Sequence, residues 1–167
     1  MFSLNPEVER ASTLIESTVA AAICAIYLAS LFTMNSSTMG AIKMAREAAC
    51  ASQVLQQRVE SMRIANWHQV TDADWIQQNL LGSDAPGSNG LKNLSETLAL
   101  IPYGSSSVTP TQLERANGFS RVITRNSELL AESAVKVIWT VNFTGSPNDR
   151  AFTRQTVAIL AKGGVAK

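Results

Sequence analysis

Apolar positions follow three regimes along this chain. From Leu14 to Met34 they are nearly continuous, and Ser17 to Met34 carries no charge. From Ala41 to Ala65, a stretch without Gly or Pro, they recur in helical steps at Ala41, Met44, Ala45, Ala48, Ser52, Leu55, Val59 and Met62. Lys43, Arg46, Glu47, Gln53, Gln57 and Arg58 fall on the other side, so the spacing predicts an amphipathic helix packed on a sheet. In the last third the period becomes two. Val135, Val137, Trp139, Val141 and Phe143 alternate with Lys136, Ile138, Thr140 and Asn142, the signature of a half-buried strand over Ala134 to Phe143.

Residues Gly145 to Asp149 (GSPND) read as a hairpin loop, Arg150 to Ala161 as the returning strand, and Phe119 to Arg125 as a preceding strand. Thr71-Asp72-Ala73-Asp74 forms a cap-like start to a short helix over Trp75 to Leu81, ended by Gly82. Ser83 to Gly90 and Pro102 to Pro110 read as loops by composition. The expected architecture is α+β: a long N-terminal helix, membrane-spanning in its first half, packed on a small antiparallel sheet of three or four strands. The boundaries are a helix over 12–39, an amphipathic continuation over 40–65 and a globular head over 66–167. Gly40 marks the expected weak point between the two helical parts.

The apolar run Leu14 to Met34 is 21 residues, about 31 Å of helix, enough to cross a hydrocarbon core of roughly 30 Å. Ser17, Thr18, Ser30 and Thr33 dilute it, and small residues of this kind suit close helix contacts. An ordinary secretory signal starts with a basic segment, but Met1 to Ala11 (MFSLNPEVERA) sets Glu7 and Glu9 against Arg10. Glu16 is the unusual residue. Just inside the apolar stretch, an ionised carboxylate costs about 2.5–3.5 kcal/mol at mid-bilayer depth and calls for a partner. Its simplest alternative reading is a helix-start carboxylate near the positive end of the helix dipole.

Arg10-Ala11-Ser12-Thr13-Leu14-Ile15-Glu16-Ser17 resembles the type III signal of type IV pilins and type II secretion pseudopilins, where a short hydrophilic leader precedes a Phe-Thr-Leu-Ile-Glu-like start and an apolar helix. Thr13, Leu14, Ile15 and Glu16 match that start; Ala11 stands where the family usually has Gly, and Ser12 where it has Phe or Met. The C-terminal end is also similar to minor members of the family, through Val135-Lys136-Val137-Ile138-Trp139 and the Arg150 to Ala158 strand, which leaves residues 66–118 unmatched. The resemblance implies a leader over 1–11, cut between Ala11 and Ser12 by a membrane prepilin peptidase, with methylation of the new Ser12 amine. The remaining chain carries 13 basic against 11 acidic residues, a charge of +2, because Glu7, Glu9 and Arg10 leave with the leader.

In such a subunit Glu16 neutralises the N-terminal amine of a neighbouring copy during assembly, and an opposite charge offsets much of the burial penalty of both groups. The implied protein is a structural subunit, a minor pilin or minor pseudopilin. Its implied partners are the prepilin peptidase, other pilin or pseudopilin subunits, an inner-membrane assembly platform and the lipid bilayer. It would sit as a single-pass protein of a bacterial inner membrane, N-terminus cytoplasmic and head periplasmic, and enter a filament. The alternative is a non-polymerising, membrane-anchored binding module with a periplasmic head.

Charge and side-chain chemistry narrow this further. A net charge of +1, from 14 basic and 13 acidic residues, gives no ground for nucleic-acid binding. Cys24 and Cys50 fall in one predicted helix, about 39 Å apart at 1.5 Å per residue, beyond the reach of a disulfide. With them, His68, the only histidine, completes no metal site, and no metal or cofactor is expected. Asp72, Asp74 and Asp84 lack the spacing of a calcium loop and read as helix capping. Trp67, Trp75 and Trp139 read as packing residues. Without a nucleophile and base in a recognisable arrangement, a secreted enzyme is the least supported function.

Overall fold

A computed structural model of the chain describes residues 6–104, 109–146 and 149–163, with side chains in the first segment from Leu14 onward. Helix α1 runs Pro6–Ile64. It is followed by α2 (Trp67–Thr71), α3 (Ala73–Trp75) and a π-turn over Ile76–Leu80. Five strands come next: β1 Lys92–Pro102, β2 Thr111–Ala116, β3 Phe119–Thr124, β4 Ala134–Gly145 and β5 Arg150–Ala161. The fold class is α+β, as the patterning predicts. Residues up to Ile42 and residues from Lys43 onward form two compact units.

In the first unit the side chains are exposed all round the helix: Leu14, Ile15, Ile23, Tyr27 and Phe32 each lie open by more than half. Among the described residues its apolar side chains stay exposed, a pattern compatible with a membrane-spanning helix. Its hydroxyls bond back to the helix's own carbonyls, Thr18 to Ile15, Ser30 to Tyr27 and Thr33 to Ser30, at 2.7–2.8 Å. These bonds satisfy the hydroxyls within the helix itself. Among the described residues one helix, near the N-terminus, is long and apolar enough to cross a membrane. Helical structure passes through Gly40 uninterrupted.

In the second unit, β1, β2 and β3 form a meander. The chain then returns past β1 to lay down β4 and β5, so the antiparallel sheet has the order β3-β2-β1-β4-β5. The sheet has five strands, where the sequence suggests three or four. One face carries Leu98 and Leu100 of β1, Leu113 of β2 and the alternating Val135, Val137, Trp139, Val141 and Phe143 of β4, all buried. Against them pack Ala51, Val54, Leu55 and Met62 of α1, with Val70, Ile76, Leu80 and Leu81 closing the core.

The face of α1 that meets the sheet differs from the predicted one. Its buried positions are Glu47, Ala51, Val54, Leu55, Arg58 and Met62, whereas Ala41, Met44, Ala45 and Ser52 are exposed. The stripe is rotated by most of one residue's 100° step, because two charged residues, Glu47 and Arg58, point inward where the alternation of polar and apolar placed them outside. The short helix also departs from expectation. Helical structure begins at Trp67 rather than Trp75, with Asn66 and Gln69 forming a capping box. Of the two composition-defined loops, Ser105 to Val108 of one and Pro147 and Asn148 of the hairpin lie outside the described residues, as does the leader's Met1 to Asn5.

Candidate functional site

The residues singled out at the N-terminus all lie on α1. Ala11, Ser12 and Thr13 belong to its helical backbone, and their side chains lie outside the described ones. Leu14 and Ile15 are 66% and 62% exposed, and Glu16 is exposed beside them. Because α1 starts at Pro6, Glu16 sits ten residues in, about 15 Å along the axis and past the first turn, where the dipole acts. Among the described residues no cation pairs with Glu16. An apolar helix surface with a lone unpaired carboxylate near one end is what the first unit offers chemically.

The second unit contains a charge cluster that the alternation of residues does not reveal. Glu96 of β1 is fully buried beneath α1. Its Oε2 accepts from Arg58 Nε at 2.9 Å and from Trp139 Nε1 at 3.2 Å. Its Oε1 accepts from Arg58 Nη2 at 2.9 Å and Arg115 Nη1 at 3.3 Å. Arg58 donates further to the carbonyls of Leu80 and of Ser83, and its guanidinium lies 5.9 Å over the Trp139 ring. Arg115 also pairs with Asp84, whose other side meets solvent. Two guanidinium groups and two carboxylates thus balance in charge, and both Glu96 oxygens are occupied twice. A fork-to-fork Arg58–Glu96 contact is a rigid and directional pairing. The cluster joins α1, β1, β2, β4 and the segment after the π-turn, and its filled acceptors leave it a fastening rather than a reaction centre.

A second buried carboxylate holds the far end of the sheet. Glu47 of α1 accepts from the Ser146 backbone N–H at 2.9 Å. Gly145 permits the approach, since a Cβ there would stand 2.7 Å from the same Glu47 oxygen.

The remaining candidate residues resolve into structural duties. Asp72 caps α3 by accepting from the Asp74 N–H at 2.9 Å. Asp74 and Arg125 pair at the surface, and the hydrogen bond from Arg125 holds the Asp74 carboxyl below its usual range, while Asp74 in turn raises Arg125. Asp84 pairs with Arg115. Trp139 is wholly buried, Trp67 and Trp75 are half-buried against the core, and His68 is exposed. Cys24 and Cys50 both lie on α1 with free thiols. Among the described residues no three His, Cys, Asp or Glu side chains gather as metal ligands. Comparison with known proteins finds no matching family model, no similar curated protein and no matching solved structure.

Proposed function

We propose that this chain is a pilin-like structural subunit, a minor pilin or minor pseudopilin. A prepilin peptidase cuts it between Ala11 and Ser12 and methylates the Ser12 amine, and an inner-membrane platform then assembles it with other subunits into a type IV pilus or type II secretion pseudopilus. The observation that carries the proposal is Glu16, a carboxylate without a cationic partner among the described residues, near one end of an exposed apolar helix surface. Removal of residues 1–11 creates a cation four residues away, on Ser12. In a bundle of such helices the amine of one copy meets Glu16 of the next, and each offsets the desolvation of the other. Back-bonded hydroxyls along the helix suit both the bilayer that holds the subunit before assembly and the close packing of a filament. In this reading the head faces the periplasm, and the protein works by assembly rather than catalysis.

Mass spectrometry of the native protein tests the cut. The expected N-terminus is Ser12, with the mass of one added methyl group; an intact Met1, or a start beyond Ser30, overturns the proposal. Replacing Glu16 with Ala should leave the chain in the membrane and remove it from the filament fraction. Unchanged function of that variant would instead favour the non-polymerising anchored module.

A further inference from the structure

The two edges of the sheet are treated differently. Edge strand β3 is short, six residues, and its pairing with β2 shifts register between Gln112 and Leu113. Its basic residue Arg121 is neutralised by Glu114 of β2, and Arg125, just beyond it, by Asp74. Its shortness and its register shift discourage further strand pairing. Edge strand β5 has neither. It runs 12 residues in unbroken register with β4, from Ala134↔Ala161 to Gly145↔Arg150, with no Pro and no bulge. Among the described residues no strand covers its outer side. A long, unpaired edge in unbroken register presents a row of backbone donors and acceptors to an extended chain.

The surroundings of β5 add shape and charge. Arg154 stands opposite Val141, and Phe152, Thr156, Ala158 and Leu160 share its side of the strand, the side facing α1. Between that side and α1 lie two contiguous recesses. One, of about 420 Å³, is bounded by Val59 and Glu60 of α1 and Thr156 to Ile159. The next, of about 640 Å³, is bounded by Met62, Trp67, Val70 and Leu160. At the other end of the strand Arg150 and Arg154 are exposed, and among the described residues neither has a carboxylate partner.

We propose that β5 is the acceptor edge for an extended segment of a partner protein. The segment adds as a sixth strand, sets acidic side chains against Arg150 and Arg154, and lodges an apolar side chain in the recess beside Trp67. The charge argues against a second copy of this chain as the occupant. Neither free edge, β3 (FSRVIT) or β5 (RAFTRQTVAILA), contains an Asp or Glu, so pairing two copies leaves the arginines unmatched. Side chains on one face of a strand repeat every second residue. The partner therefore carries its acids four residues apart and its apolar anchor about six further on, level with Leu160. The proposal stands apart from N-terminal maturation and does not involve Glu16.

The test uses the full chain in detergent micelles and two fluorescein-labelled peptides. Both have Glu and Leu at those spacings with Thr and Val between, and one is the reverse of the other to cover both strand directions. One peptide should bind at micromolar concentration by fluorescence anisotropy. The double variant Arg150→Glu, Arg154→Glu should weaken it about tenfold, as opposed charges at an interface edge do, with an unchanged melting transition because both residues are exposed. Methylating alternate peptide nitrogens on the bonding edge should abolish binding, since it removes the main-chain donors. If neither peptide binds, or if binding survives in either the double variant or the methylated peptide, the proposal fails.

Discussion

Glu96 is the residue on which the head's electrostatics turn. A carboxylate with no exposure is tolerable only because four donors from Arg58, Arg115 and Trp139 surround it. Removing it leaves the buried Arg58 guanidinium without a carboxylate and Arg115 with Asp84 alone, so Glu96→Ala should destabilise the head by about 3–5 kcal/mol, read from urea unfolding followed by tryptophan fluorescence. Replacing the set together, Arg58→Met with Glu96→Leu and Arg115→Met, should cost far less than the single change, because no orphan charge remains. A loss equal to that of Glu96→Ala would show that shape rather than charge balance governs the site. The surface pair Asp74–Arg125 behaves differently. Asp74 has its carboxyl held below the ordinary value of 3.8 in the folded chain. Its contribution to stability is therefore present above that value and lost as pH falls through the folded one. In Arg125→Gln an NMR titration should find the Asp74 carboxyl moved upward toward the ordinary range, with the acid limb of stability starting at higher pH.

At the scale of elements, the structure separates strands by whether charge intrudes on their buried row. β5 follows the predicted boundaries, Arg150 to Ala161, and β4 starts at Ala134 as predicted but runs on past Phe143 to Gly145; Val135, Val137, Trp139, Val141 and Phe143 alternate without exception. β3 likewise begins at Phe119 as expected and stops one residue sooner, at Thr124. β1 and β2 are not legible in the sequence. Glu96 interrupts the row Leu94, Leu98, Leu100, and Arg115 sits beside Leu113, so a buried face reads as an irregular one. Arg58 misleads in the same way on α1. The three residues that hide these faces are the three that bond to one another, a pairing between positions 19 and 38 residues apart that local patterning cannot show. The N-terminal motif was legible only through its resemblance, residue by residue from Thr13 to Glu16. Element junctions yield one further prediction: Gly145→Val forces a side chain into the Glu47 oxygen and the Phe152 ring, which a Cβ would already approach at 2.7 and 2.9 Å. It should lower stability by about 1–3 kcal/mol, the usual cost of overpacking, measurable as a lower thermal midpoint. A midpoint equal to the parent's would mean that the turn yields freely.

For the whole molecule, the exposed apolar helix of the first unit and the enclosed core of the second pose separate physical problems. Among the described residues the first is exposed and by length and composition able to cross a membrane, and the N-terminal mass and the Glu16 variant test assembly against simple anchoring. The second closes on itself, and the Arg58–Glu96–Arg115 junction governs how it does so. Its members come from α1, β1 and β2, with Trp139 of β4 a further 43 residues downstream of Glu96. A half-built head, with the helix docked but β4 still absent, would hold a carboxylate in a dry place with its donors incomplete. Such states lie high in free energy, so the docking of β4 supplies the last of the donors that make the burial of Glu96 tolerable.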